Sequence, residues 1–165
     1  MDNRTGDTGV TLGGSAAPSQ AGRETQDDNA ARSFCVLLAE DNSFVTELFR
    51  YAVVRFQKEL VGYESHDLLT AVTGDEALRL LEQRRVDLVI VDHYLPGLTG
   101  CALVRKLRSM PDYARTPILV ISVGGPDIRQ EAIAAGATHF MDKPVQLSQL
   151  LETMRTFTSQ EHVCQ

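Results

Sequence analysis

Short apolar runs alternate with amphipathic segments over most of the chain. The apolar runs have the length of buried strands, and they are FCVLLA (34–39), HDLLTAV (66–72), LVIVD (88–92), PILVIS (117–122) and THFM (138–141). The segments between them carry helical periodicity or helix start and stop signals. They predict a helix capped by Ser43 and reaching Phe56, and further helices over 73–85, 99–109, 127–135 and 147–157. Gly136 is the predicted C-cap of the fourth helix.

This order of strands and helices predicts an α/β fold. Strands joined by helical crossovers pair in parallel, and runs without polar alternation indicate a sheet that is covered on both faces. Five strands and five helices therefore predict a doubly wound parallel sheet. Ligands of such sheets bind at the carboxyl ends of the strands, near the point where the strand order reverses.

The beginning of the chain differs from the rest in composition. Residues 1–32 are rich in Gly, Ser, Thr, Asp and Gln and contain almost no large apolar residue. Such a segment cannot bury enough surface to offset the entropy lost on ordering, so we expect a disordered tail over 1–32. One folded domain is expected over 33–158, followed by a short C-terminal tail over 159–165.

Charge and cysteine content narrow the function classes. The formal net charge of -6 over 165 residues argues against a nucleic-acid surface, which needs clustered Lys and Arg. No secretory leader and no apolar run of membrane-spanning length are present, so no membrane segment is expected. The three cysteines show no C-x-x-C spacing. They are interpreted as reduced thiols of a cytoplasmic protein, with Cys35 and Cys101 in the core.

Polar side chains of a particular kind follow four of the five predicted strands. Each of these residues could be an ordinary structural residue, because acids in turns, a serine after a strand and a surface lysine are all common. Their joint placement at one sheet edge favours a built site. Clustered carboxylates repel unless a cation sits among them, and hard oxygen ligands suit Mg²⁺. The set comprises Glu40, Asp41, Asp92, Ser122 and Lys143, with Asp92 as the natural nucleophile toward a phosphoryl group.

Several stretches together resemble the receiver domains of response regulators, the CheY-like phosphoacceptor modules of two-component signalling. The resemblance covers 34 to about 157, and it rests on VLLAEDN, VDLVIVDHYLPGLTG, PILVIS, HFMDKPV and the preceding AGA. It implies a flavodoxin-like sheet with strand order 2-1-3-4-5. It also implies that Asp92 accepts a phosphoryl group from a histidine kinase or a histidine phosphotransfer protein.

The resemblance also implies roles for the neighbouring residues. Asp41 and Asp92 would bind Mg²⁺, with Glu40 acting directly or through water and the backbone carbonyl of Tyr94 completing the protein ligands. Ser122 would bond a phosphate oxygen, and Lys143 would pair with the phosphoryl group. Ser122 and Phe140 occupy the switch positions, and plain core packing is the alternative for Phe140. The Lys143–Pro144 bond is expected to be cis.

His93 and Tyr94 follow the predicted nucleophile in the sequence, and Val123 follows Ser122. Val123 stands where the family usually has a small residue, and Tyr94 is bulky at a position that influences hydrolysis. We therefore expect Tyr94 and Val123 to restrict access to the phosphoryl site and to slow water attack. His93 is adjacent to Asp92 in sequence, but strand alternation directs its side chain away from Asp92.

No output domain is recognisable after the last predicted helix, so the expected output is a phosphorylation-dependent protein–protein contact. The face of the fourth helix, fifth strand and fifth helix is the expected surface. Two alternatives stay open, a phosphorelay intermediate or phosphate sink and a degenerate receiver that signals without phosphate. A haloacid-dehalogenase-like phosphatase needs a second acid two residues after the nucleophile, and Tyr94 occupies that position.

Overall fold

The fold is a five-stranded parallel sheet with helices on both faces. The computed structural model describes residues 33–61 and 63–161, so the predicted tail over 1–32 lies outside the described residues. Neighbouring strands pair in the order β2-β1-β3-β4-β5, all in parallel, which confirms the predicted order. The strands are β1 (Ser33–Ala39), β2 (Ser65–Ala71), β3 (Leu88–Asp92), β4 (Ile118–Ser122) and β5 (His139–Asp142).

Within the described residues, five α-helices connect or follow these strands. They are α1 (Ser43–Gln57), α2 (Gly74–Gln83), α3 (Gly100–Ser109), α4 (Gly125–Ala135) and α5 (Leu147–Glu161), and a short 3-10 helix covers Pro111–Tyr113. One core lies between the sheet and α2, α3 and α4, and the other lies between the sheet and α1 and α5. Successive residues of a strand enter opposite cores, because side chains alternate across a sheet. No helix in the described part of the chain is long and apolar enough to cross a membrane.

The first helix begins differently from the prediction. Asn42 is the N-cap, and its side chain accepts hydrogen bonds from the backbone N–H groups of Phe44 and Val45 at 3.0 and 3.3 Å. Ser43 is the first helical residue, so its assignment as the cap was wrong. Both residue types cap helices well, and the extended backbone of Asn42 decides between them.

Three other helix ends differ from the prediction by two residues or more. Helix α2 ends at Gln83, and the backbone of Arg84 is extended, so Arg84 and Arg85, which the predicted range 73–85 included, lie beyond it. Helix α4 begins at Gly125, two residues earlier than predicted. Helix α5 continues through Glu161, so the first residues of the predicted tail over 159–165 are helical. Gly136 has a φ of 102° and caps α4 as predicted.

The register of the sheet brings the predicted polar residues to one edge. Ala39 of β1 pairs with Val91 of β3, so the residues that follow both strands are neighbours. Ser122 at the end of β4 pairs with Asp142 of β5, directly before Lys143. The Lys143–Pro144 peptide is cis, as the resemblance implied.

Candidate functional site

Asp92 ends β3 and is held by two donors. It is 5% exposed, and its Oδ1 accepts a hydrogen bond from the backbone N–H of Tyr94 at 3.1 Å. The ammonium of Lys143 donates to its Oδ2 at 2.6 Å. A buried carboxylate is costly unless it is paired in this way, so the pairing explains how β3 can end in an acid.

Lys143 bridges a second buried carboxylate. Its Nζ donates to Oε2 of Glu40 at 2.9 Å, and the other oxygen of Glu40 accepts from the backbone N–H of Asn42 at 3.1 Å. Burial raises the pKa of Glu40, and the hydrogen bond and charge of Lys143 oppose that rise. Burial alone would lower the pKa of Lys143, but the hydrogen bonds to Asp92 and Glu40 outweigh it and raise the pKa.

Asp41 completes an acidic site, defined as the carboxylates of Glu40, Asp41 and Asp92. One oxygen from each of the three lies within 4.8 Å of the others. Asp41 is exposed, whereas the other two are buried, so the site opens to solvent on the Asp41 side. Three carboxylates with solvent access fit a small hard cation such as Mg²⁺, which keeps some of its waters.

Ser122 and two bulkier residues lie around this edge. Ser122 is fully buried, and its Oγ accepts a hydrogen bond from the backbone N–H of Gly124 at 3.1 Å. Val123 is 70% exposed and Tyr94 is 54% exposed. Val123 lines an apolar depression together with Lys143 and α1.

Phe140 on β5 is buried, and its ring is covered by a residue that the sequence did not single out. The guanidinium of Arg129 on α4 lies 4.8 Å from the ring centroid, a cation–π distance. Arg129 also pairs with Asp142, the last residue of β5. Sequence reasoning missed this contact because Arg129 is separated from β5 by the end of α4, and no local pattern links the two.

His93 points away from Asp92, as strand alternation predicted. Its Nδ1 lies 3.2 Å from Sγ of Cys101, in the core beneath α3. A Cβ on Gly100 would lie 2.4 Å from the carbonyl oxygen of Asp92, so glycine permits the close approach of α3 that places Cys101 beside His93. Cys35 and Cys101 are both buried free cysteines, as predicted.

Comparison with known proteins identifies the family. The family model described as the response regulator receiver domain matches residues 36–155. The chain is 32% identical over 121 residues to the phosphate regulon transcriptional regulatory protein PhoB of Rhizobium meliloti, covering 73% of this chain and 50% of that protein. It spans half or less of the length of this and similar curated relatives.

Solved structures give the same assignment. The chemotaxis response regulator CheY4 of Vibrio cholerae matches with a TM-score of 0.66 and 29% identity, over 76% of this chain and 98% of that chain. The receiver domain of a Pseudomonas aeruginosa sensor histidine kinase, which holds magnesium in its active site cleft, shares the fold. Its TM-score is 0.64 at 22% identity, over 78% of this chain and 98% of that chain. The chain belongs to the response regulator receiver domain family.

Proposed function

We propose that Asp92 accepts a phosphoryl group from a phosphohistidine of a histidine kinase or a histidine phosphotransfer protein. The observation that carries this proposal is the carboxylate of Asp92, buried at a strand end, bonded to Lys143 and adjacent to two further acids. A carboxylate oxygen attacks phosphorus, the P–N bond breaks, and the imidazole nitrogen keeps the electron pair.

Magnesium is the proposed cofactor, because the acidic site supplies hard oxygen ligands. Asp41 and Asp92 would hold the ion, with Glu40 binding directly or through water and the backbone carbonyl of Tyr94 adding a protein ligand. When bound, the ion neutralises charge on the transferred phosphoryl group. The separation of the three carboxylates supports this assignment.

Two side chains are proposed to stabilise the phosphoryl group from the protein side. The ammonium of Lys143 is already bonded to Asp92, so it can shift to a phosphoryl oxygen with a small movement. The hydroxyl of Ser122 can donate to another oxygen, because its present bond to Gly124 uses it only as an acceptor. The protein would thus catalyse only its own phosphorylation and dephosphorylation and would not act as an enzyme on a separate substrate.

The output is proposed to be a contact with an effector protein through α4, β5 and α5. β5 is an edge strand, and concave patches lie on either side of it against α5 and α4. Ser122 and Phe140 are the proposed switch residues, since movement of Ser122 toward a phosphoryl oxygen would change the packing beside Phe140. Phosphorylation would then bias the face between two conformations. We place this signalling in the cytoplasm.

A phosphorelay intermediate or phosphate sink is the second candidate. One similar solved structure, at 26% identity, is the receiver domain of a signal transduction histidine kinase from Syntrophus aciditrophicus. Receiver domains therefore occur within kinases, where onward transfer is plausible chemistry. Transfer of the phosphoryl group from this chain to a purified phosphotransfer domain would favour that role. A degenerate receiver is disfavoured because the acidic site is intact.

The test is intact-mass measurement after incubation with Mg²⁺ and a small-molecule phosphodonor. We expect a gain of one phosphoryl group in the wild type and none in Asp92→Asn. Asp112→Asn is a matched control, because Asp112 is an exposed acid that precedes β4 and pairs with Arg85. It should be phosphorylated like the wild type. No gain in correctly folded wild type would contradict the proposal and favour the degenerate receiver.

A further inference from the structure

A second cluster of metal-ligating side chains lies apart from the acidic site. It consists of His93 directly after β3, Cys101 in the first turn of α3, and Glu131 on α4. His93 is 6% exposed and Cys101 is fully buried, whereas the side chain of Glu131 is 40% exposed. The cluster is therefore reached from solvent between α3 and α4, on the side of Glu131.

The geometry of the cluster fits a tetrahedral ion. One ligand atom from each of the three residues lies within 4.8 Å of the others, and Nδ1 of His93 is 3.2 Å from Sγ of Cys101. Zinc bonds of about 2.3 Å to sulfur and about 2.0 Å to nitrogen place those two atoms about 3.5 Å apart at a tetrahedral angle. A small opening of the pair would therefore admit the ion.

The ligand types select a different cation from that of the acidic site. We propose that His93, Cys101 and Glu131 bind a borderline-soft divalent cation of the Zn²⁺ class, with water as the fourth ligand. The ion replaces the thiol proton of Cys101, and that proton passes to water. Mg²⁺ prefers oxygen ligands, so it competes poorly for a site that offers sulfur and nitrogen.

Glu131 adds a third possible ligand to the pair formed by His93 and Cys101. A thiol–imidazole hydrogen bond would account for His93 and Cys101 but needs no carboxylate. Arg105 donates a hydrogen bond to Oε1 of Glu131 at 3.1 Å. The other carboxylate oxygen of Glu131 can bind the ion while this hydrogen bond persists. It would then orient the ligand, as outer hydrogen bonds do at metal sites.

A bound ion would connect the end of β3, α3 and α4, which are otherwise joined only through the intervening loops and strand. His93 follows Asp92, Cys101 is the second residue of α3, and Glu131 lies on α4, which begins three residues after Ser122. A bound ion would restrain α4 against β3 and α3. This inference does not depend on phosphorylation of Asp92, so either can fail without the other.

The experiment titrates the purified full chain with Co²⁺ as the probe and follows thiolate-to-cobalt charge-transfer absorption. With excess Mg²⁺ present to occupy the acidic site, we expect one equivalent of thiolate-bound Co²⁺ per chain, displaced by Zn²⁺. Cys101→Ser and His93→Gln should abolish the absorption. Glu131→Gln should weaken binding by at least about tenfold, the loss typical even of an outer-shell partner. Cys35→Ser and Cys164→Ser are matched controls that should retain the absorption.

Three outcomes would overturn the proposal. The first is that the wild type shows no thiolate absorption at excess Co²⁺. The second is that the absorption survives in Cys101→Ser and disappears in Cys164→Ser. The third is that Glu131→Gln binds Co²⁺ with wild-type affinity. Circular dichroism checks the fold of each variant. If Cys101→Ser fails to fold, Glu131→Gln decides, because Glu131 is on the surface and its replacement leaves the core unchanged.

Discussion

Lys143 is the residue whose removal tests the electrostatics of the acidic site most directly. Its ammonium donates to Glu40 and Asp92 together, and the exposed fractions of the side chains are 18% for Lys143, 0% for Glu40 and 7% for Asp92. Lys143→Met keeps most of the side-chain volume and removes the charge. The two buried carboxylates then lose their shared donor, and each must be desolvated without it.

Breaking a buried pair by removing one partner costs about 3–5 kcal/mol. We expect Lys143→Met to lower the free energy of unfolding by about 3 kcal/mol at pH 7, the lower end of that range. The lower end applies because the acidic site opens to solvent beside Asp41. Adding Mg²⁺ should recover part of this loss, because an ion bound only by the folded state stabilises it by mass action.

The pH dependence of the loss follows from the pKa shifts. Burial raises the pKa of Glu40 above its ordinary value of 4.5, so its contribution to stability is favourable at low pH and is lost as pH rises through the folded-state pKa. Without Lys143, only the hydrogen bond from the backbone N–H of Asn42 opposes that rise in the pKa of Glu40. The raised pKa of Lys143 means that its own contribution persists until the pH exceeds 10.5. The deficit of Lys143→Met should therefore be full near pH 7 and shrink as pH falls toward 4.5.

Urea denaturation in the presence of a chelator measures this deficit at both pH values. Lys106→Met, an exposed lysine on α3, is the matched control and should change stability by less than about 0.5 kcal/mol. Glu40→Gln in the Lys143→Met background should recover part of the loss, because one of the unpaired charges is gone. A deficit below about 1 kcal/mol, outside the range for a broken buried pair, or one that grows on acidification, would refute the reasoning.

Five further substitutions test the core, the N-cap of α1 and access to the phosphoryl site. Tyr113→Phe should lower the free energy of unfolding by about 1–3 kcal/mol, because the buried carbonyl of Leu81 and the part-buried carbonyl of Arg84 lose the hydroxyl that they share; an unchanged urea midpoint would contradict this. In paired denaturation curves, Asn42→Ala should lower the free energy of unfolding by about 1 kcal/mol, and Ser43→Ala should lower it by less than about 0.5 kcal/mol. Equal losses in the two variants would argue against Asn42 as the N-cap. Val123→Ala and Tyr94→Asn should each speed hydrolysis of the aspartyl phosphate on the order of tenfold, which corresponds to a barrier lower by about 1.4 kcal/mol. An unchanged dephosphorylation rate would show that these side chains do not restrict the attack of water.

Helix ends show where local sequence stops being sufficient. Asn42 and Ser43 are adjacent and both are good N-caps, so only the backbone path out of β1 selects Asn42. Arg84 and Arg85 suit the last turn of a helix, yet they lie beyond α2. Their side chains pair with Asp67 on β2 and with Asp112 before β4. These partners are distant in sequence, so no local pattern could reveal them.

The sequence by itself determined the strands, their parallel pairing and the acids at the carboxyl edge, and the resemblance to receiver domains implied the strand order. Apolar runs without polar alternation can only be buried on both faces, and a strand that ends in Asp92 must present that carboxylate at the edge of the sheet. Only the tertiary structure decided which groups meet. Lys143 reaches Glu40 across 103 residues of sequence, and Cys101 reaches His93 because α3 closes onto the end of β3. Such contacts depend on how helices pack against the sheet, and packing is a property of the whole fold rather than of any segment.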